Sequence, residues 1–304
     1  MDAKEKSAYY SHSLMVAVAG ALWGGVLVWA NFWASKGFSL FEISLIVLPV
    51  ISLIFLPALI LKKELRIQAK DLKFYAIYGL IGAALQIGQY GGIILGLPVA
   101  IAVMLMYTQP IWSTIFGKVM LKETITKGKI IAVAIAIVGI LILVDPFSGL
   151  LTSNPFGIGA GLLAGISLSL WNIYGRKSRI AGHHYITAGF GFVTFTAIAL
   201  VVLYPILYAL MPATNFTGFQ FGHIAEYWPL IIAWAITAGT LPNLLYFKGM
   251  GKIPASNAGV LLLTEPVSAA LLAAVLFSQP LTTNILVGGA IVLLANYVII
   301  RWGQ

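Results

Sequence analysis

Apolar residues run along most of this chain without the helical or alternating periodicity of a surface element in water. Charges, Gly/Pro turns and polar clusters interrupt the runs at intervals of about 17 to 25 residues. A helix needs about 20 residues to cross about 30 Å of hydrocarbon, so each run predicts one spanning helix. Ten are delimited, at 13–34, 43–61, 74–95, 98–117, 130–144, 158–175, 185–210, 228–247, 255–277 and 282–300. The fifth is short and borrows residues from Gly128 onward. Ten-residue alternating strands are missing, so helices are left to satisfy every backbone amide in lipid. The expected fold is an all-α integral membrane protein of ten transmembrane helices.

Composition agrees, with 60% of the 304 residues hydrophobic and 9% charged. The net charge of +9 would suggest a nucleic-acid partner in a soluble protein, but here the basic residues sit between the runs. With the amino terminus inside, every Lys and Arg except Lys36 falls on the cytoplasmic side. The count predicts two cytoplasmic termini in a cell inner membrane, a lipid bilayer as partner and no nucleic acid. The opening "MDAKEKSAYYSH" is too short and polar for a cleaved signal and reads as a cytoplasmic tail, 1–12, before a retained helix. The absence of cysteine removes disulfides and thiolate metal sites.

The chain also repeats itself. "LPVAIAVMLMYTQPIW" from Leu97 aligns 156 residues on with "IPASNAGVLLLTEPVS" from Ile253, pairing Pro98 with Pro254, Thr108 with Thr264 and Pro110 with Pro266. Tyr90 and Tyr246 extend the match backward, and Thr126 and Thr282 extend it forward. A weaker match at an offset of 141 sets Asn31 and Lys36 on Asn172 and Lys177. Each half therefore holds five helices, an odd number, so the second must cross the membrane in the opposite sense. The charges agree: Lys118, Lys122, Lys127 and Lys129 face uncharged mates, while Gly92 and Gly96 face Lys248 and Lys252. Inverted repeats of this kind mark secondary transporters that rock about a midplane site.

These stretches carry a resemblance. "LPVAIAVMLMYTQPIWSTIFGKVMLKETITKGKIIAVAIAIVGILILV" and "YFKGMGKIPASNAGVLLLTEPVSAALLAAVLFSQPLTTNILVGGAIVLLANYVII" resemble the two repeats of the EamA-like ten-helix permeases of the drug/metabolite transporter superfamily. The likeness divides the chain into a first repeat at 13–144, an outer linker at 145–157 and a second repeat at 158–304. It implies a basket of segments one to four and six to nine around a central cavity, with segments five and ten to one side. It also implies export of amino acids or other small metabolites, with sugar phosphates or nucleotide sugars moved by other relatives. The acidic position that the family shares is Glu123 in the first half but Gln279 in the second, which favours a local loop or cap role for Glu123.

Within "GVLLLTEPVSAALLAAV" lies Glu265, the only Asp, Glu, Lys or Arg inside the ten core spans. A charge at that depth carries an apparent insertion cost of about 2.5–3.5 kcal/mol, so it is expected to face a cavity or a partner. Its repeat mate is Gln109. The bland alternative is a protonated carboxyl that serves as a hydrogen-bonding amide mimic. Other polar and aromatic groups at membrane depth are Gln86, Gln89 and Tyr90 in segment three and Tyr107 and Thr108 in segment four. Trp171 and Asn172 in segment six, Asn243 and Tyr246 in segment eight, Thr264 in segment nine and Trp23 in segment one complete the set. Singly, each amide could be interhelical glue worth around 1 kcal/mol; together on cavity-forming helices they predict a polar pocket. Pro110 and Pro266 are expected to kink segments four and nine, freeing the carbonyls of Met106 and Leu262. Glycines spaced four apart at Gly157, Gly161 and Gly165, and at Gly88, Gly92 and Gly96, read as close helix contacts.

Other chemistries lack their residues. "GMGKIP" misses the spacing and hydroxyl of a phosphate-binding loop, and His12, His183, His184 and His223 show no metalloprotease spacing. His183 and His184 read as a solvated cytoplasmic turn. Metal sites and cofactors are not expected, and neither is enzymatic activity. The expected function is a secondary transporter of amino acids or similar small metabolites by alternating access, in the direction of export. The alternatives are an exchanger of phosphate-bearing metabolites, for which Lys248 is the one basic residue near enough, and a non-transporting membrane scaffold. A homodimer is among the assemblies compatible with the glycine-rich faces.

Overall fold

In the computed structural model of the protein, residues 3–94, 103, 105–144, 155–210, 218, 224–277 and 281–303 are described. Nothing in the first dozen residues breaks a helix, and Glu5 in the first turn complements its positive end, so α1 runs from Ala3 to Ser35. The expected tail at 1–12 is thus helical from Ala3. It is also docked: Tyr9 is buried, donates to the Ile299 carbonyl at 3.3 Å and accepts from Asn257 Nδ2 at 2.7 Å. Helix α2, Leu40–Leu61, opens with a capping box in which Ser39 and Glu42 satisfy each other's backbone amides.

After two short 3₁₀ turns, Lys63–Leu65 and Ala69–Asp71, come α3 (Leu72–Ile94), α4 (Gln109–Leu121) and α5 (Lys127–Val144). Then follow α6 (Pro155–Ile180), α7 (Tyr185–Leu210) and α8 (Ile224–Trp234), which passes through a π-helical turn (Ala235–Thr240) into α9 (Leu241–Gly249). Helices α10 (Ala255–Leu261), α11 (Thr264–Phe277) and α12 (Thr283–Trp302) complete the chain, with no strand among the described residues. Among those residues, six stretches are long and apolar enough to cross a membrane: Phe41–Leu61, Pro155–Ile180, Tyr185–Leu210, Ile224–Gly249, Ala255–Leu276 and Thr283–Trp302. The first part of the expected fourth segment, and the linker at 145–154, lie outside the described residues.

Segments four and nine are broken rather than bent. The chain leaves helical hydrogen bonding at Tyr107–Thr108 and at Leu262–Leu263, then resumes as α4 and α11. Tight bonds close the second break, from Leu263 N to the Val260 carbonyl at 3.0 Å and from Glu265 N to the Leu262 carbonyl at 2.9 Å. The expectation that Pro266 leaves Leu262 unsatisfied is therefore overturned. Both prolines sit in the first turn of a new helix, where an amide has no intrahelical acceptor and its absence costs nothing.

Glycines let neighbouring helices close on these breaks. A Cβ on Gly24 of α1 would stand 2.7 Å from the Glu265 carbonyl and the Ala269 amide, and one on Gly165 of α6 would stand 2.7 Å from the Leu105 carbonyl. In the same way Gly88 of α3 meets the Ala164 backbone of α6 at 2.8 Å, as its spacing predicted. Helix α3 packs on α6 and α7, α1 on α9 and α11, α2 on α7 and the π turn, α4 on α6 and α10, and α5 against α12.

Candidate functional site

A cavity of about 170 Å³ lies among α1, α2, α3, α6, α7, α9 and the breaks. Its walls are mostly apolar and aromatic, with Trp23, Trp171, Phe192 and Trp234 presenting rings. Into it project Glu265, Gln86, Gln89, Asn243, Ser44 and Thr196. Glu265 is the second residue of α11 and lies deep in the bundle, and the part of it that is accessible faces the cavity. No other Asp or Glu, and no Lys or Arg, is among the described lining residues.

Several polar groups here lack a protein partner. The Asn243 side chain, 5% exposed, donates Nδ2 to the Gly239 carbonyl at 2.8 Å, which fixes the amide and leaves Oδ1 without a donor. The indole N–H of Trp171 and the hydroxyl of Thr196 are equally buried and unpaired. The hydroxyl of Tyr107 is also buried without a partner. Buried polar groups left unmet cost about 1–3 kcal/mol each, and Asn243, Trp171 and Thr196 carry theirs in the wall of the cavity.

One side of the cavity is closed by aromatic packing toward the end of the bundle that carries the 62–73 loop. Trp171 stacks on Tyr246 at 4.1 Å between centroids, and Trp23 meets both rings at 5.3 and 5.6 Å. The Tyr246 hydroxyl donates to Asn172 Oδ1 at 2.9 Å, and Tyr78 donates to the Trp171 carbonyl at 3.0 Å. Tyr75, Tyr78, Tyr246 and Phe247 are fully buried behind this layer.

The structure therefore brings Trp23, Gln86, Gln89, Trp171, Asn243 and Glu265 to one cavity and gives other expected site residues different work. Asn172 and Tyr246 bond to each other in the plug rather than lining the cavity. Thr264 staples α11 to α1 by donating to the Ala17 carbonyl at 2.7 Å, and it also reaches the Leu261 carbonyl at 3.0 Å. Its mate Thr108 donates to the Leu105 carbonyl at 2.6 Å and accepts from Trp112 Nε1 at 3.1 Å. Gln109 is buried away from the cavity lining, with neither amide atom paired. Pro110 and Pro266 start half-helices rather than kinking whole ones, and the Tyr90 side chain lies outside the description.

Outside the cavity, Glu123 does cap a helix, but one in the other half of the chain. It accepts from the Ala255 and Ser256 amides at 2.6 and 3.2 Å and from the Ser256 hydroxyl at 2.6 Å, with Lys129 Nζ at 4.0 Å. Lys248 is exposed and does not line the cavity. His183 is not a solvated turn residue: Tyr75 and Ser178 meet its Nδ1 at 3.0 and 3.1 Å, and Asp71 lies 3.4 Å from Nε2. Among the described residues no group of His, Cys, Asp and Glu could hold a metal ion.

Sequence reasoning did not single out the cavity faces of α2 and α7. Val47, Leu48 and Ile51 line it from α2, and Val193 and Thr196 from α7. In a helix that is apolar all round, nothing in the pattern separates a cavity-facing Val from a lipid-facing one.

Known proteins resemble this chain in sequence or in fold. The pattern of the EamA-like transporter family matches residues 11–145 and again 155–301. A protein of Archaeoglobus fulgidus named as an uncharacterized transporter is 24% identical over 78% of this chain and 80% of its own length. A second from that organism, named in the same words, is 26% identical over 72% of this chain and 73% of its own. An uncharacterized transporter of Clostridium kluyveri is 21% identical over 85% of this chain and 82% of its own. One solved crystal structure overlays with a TM-score of 0.73 over 96% of each chain at 17% identity, a likeness of fold alone.

Proposed function

The chain belongs to the EamA-like transporter family, and from that premise we propose that it is a secondary transporter of amino acids or similar small metabolites, working by alternating access in the direction of export. The observation that carries this reading is Glu265, placed in the first turn of a half-helix that starts inside the bundle and lining a cavity with Gln86, Gln89 and Asn243. Broken helices with a terminus at the site are how transporters bind polar solutes at membrane depth. The volume of about 170 Å³ is close to the roughly 150 Å³ that houses a benzene ring, which favours a small solute over a nucleotide sugar. The lack of Lys or Arg among the described lining residues speaks against a phosphate-bearing solute.

The reading includes ten spans in two inverted repeats, with both termini cytoplasmic in an inner membrane. Supporting it, the packing pairs come in mates: α1 on α9 beside α6 on α3, α1 on α11 beside α6 on α4, and α3 on α7 beside α2 on the π turn. Gly24 and Gly165 are mates at the offset of 141, and each admits the other half's helix break.

The test is flux in proteoliposomes with a panel of amino acids. Glu265→Gln is expected to leave the protein folded and to lower flux at least tenfold. Wild-type flux in that variant at matched protein level would return the carboxyl to a structural role.

A further inference from the structure

We propose that the cavity selects a small organic cation: an ammonium group on an apolar, ring-sized body, without a carboxylate. This rests on the transport reading above and narrows its substrate class from amino acids to amines. Glu265 is the one charged acceptor among the described lining residues. An ammonium supplies donors to that carboxyl, and the aromatic rings of Trp23 and Trp171 in the same lining favour a cation further.

A carboxylate would have the opposite experience. Among the described lining residues no Lys or Arg awaits it, and the donors there, the Gln86 and Gln89 amides among them, are neutral. An anion taken from water into such a site loses more solvation than neutral donors without a countercharge return, and it would also meet Glu265. Neutral donors of this kind suit a carbonyl or hydroxyl, so an amide on the ligand is tolerated where an acid is not. Discrimination thus comes from a missing countercharge as much as from a present one.

The experiment is calorimetric titration of the purified full-length protein in lipid nanodiscs with phenethylamine, phenylalaninamide, phenylalanine and 3-phenylpropionate. The two amines are expected to bind at least tenfold more tightly than phenylalanine, with 3-phenylpropionate silent. Glu265→Gln, checked for an unchanged elution profile and helix content, is expected to weaken both amines at least tenfold and to narrow their lead over phenylalanine. Phenylalanine or phenylpropionate binding as tightly as phenethylamine overturns the proposal, and so does silence of all four or amine binding unchanged in Glu265→Gln. The wild-type series decides the matter even if the variant fails to fold. Glu265-dependent flux of some other solute in proteoliposomes would leave the transport reading standing after such a failure. Amine binding without flux of any solute would overturn the transport reading instead.

Discussion

Replacing Gly24 by Ala tests the contact between α1 and the broken ninth segment, and its neighbour Gly25 supplies the control. Both glycines lie within α1, so an alanine at either gains the same intrinsic preference of about 1 kcal/mol for the helix. They differ in surroundings. A Cβ at position 25 meets no described atom within 4 Å, whereas one at position 24 meets Ser268 Oγ and, at 2.7 Å, the Ala269 amide and the Glu265 carbonyl. The serine can turn away but the backbone cannot, and 2.7 Å is about 0.7 Å short of the 3.4 Å at which ordinary contact begins. Helix α1 must therefore retreat by roughly that distance, stretching the bonds from Ser268 to Ala21 and from Thr264 to Ala17, each now 2.7 Å. Overpacking of this kind costs about 1–3 kcal/mol. Thermal unfolding followed by tryptophan fluorescence in one detergent should show Gly25→Ala at or above wild type and Gly24→Ala about 1–3 kcal/mol below Gly25→Ala. Because Trp23 and Glu265 flank the shifted contact, flux per folded molecule should fall in Gly24→Ala alone. Equal behaviour of the two variants would refute the close approach.

Three further outcomes are expected. Glu123→Ala should lower stability by about 2–4 kcal/mol in the same unfolding assay, since it strands the Ala255 and Ser256 amides and leaves Lys129 without its carboxylate; a loss under 1 kcal/mol would show the cap to be dispensable. Pro266→Ala should leave the folded yield unchanged, because a first-turn amide has no helical acceptor to gain, while slowing flux; equal flux per molecule would reduce the proline to packing. In a chain without native cysteine, Thr217→Cys should react with an impermeant thiol reagent in intact cells and Lys177→Cys only after lysis; the reverse pattern would invert the topology.

What the sequence disclosed depended on whether a residue's chemistry was at odds with lipid. Glu265, Asn243, Gln86 and Gln89 were legible because each is costly in hydrocarbon unless it faces protein or water, and all four line the cavity. Thr264 and Thr108 were assigned to the site on the same ground and are absent from its lining. A hydroxyl can satisfy itself on a carbonyl three residues back, so its polarity does not require a pocket. Tyr246 and Trp171 show the same ambiguity between neighbours: both are aromatic, yet one seals the plug and the other lines the cavity. The helix breaks were half legible. "TQP" and "TEP" marked the positions, but a proline inside a helix and a proline beginning one are spelled alike, and only the tight turns before them decide.

The π-helical turn at Ala235–Thr240 determines where two chemically unrelated residues point. Trp234 and Asn243 both line the cavity. In a regular helix of 3.6 residues per turn they would be about two and a half turns apart and would face opposite directions. The wider winding, closed by Thr240 Oγ1 on the Ala235 carbonyl at 2.9 Å, takes up extra chain and turns both toward the same wall. Here the binding surface depends on a residue count as well as on residue identities. Deleting Ile236 would leave every lining side chain in the sequence yet swing one of these two out of the cavity, a lesion that no scan of substitutions would find.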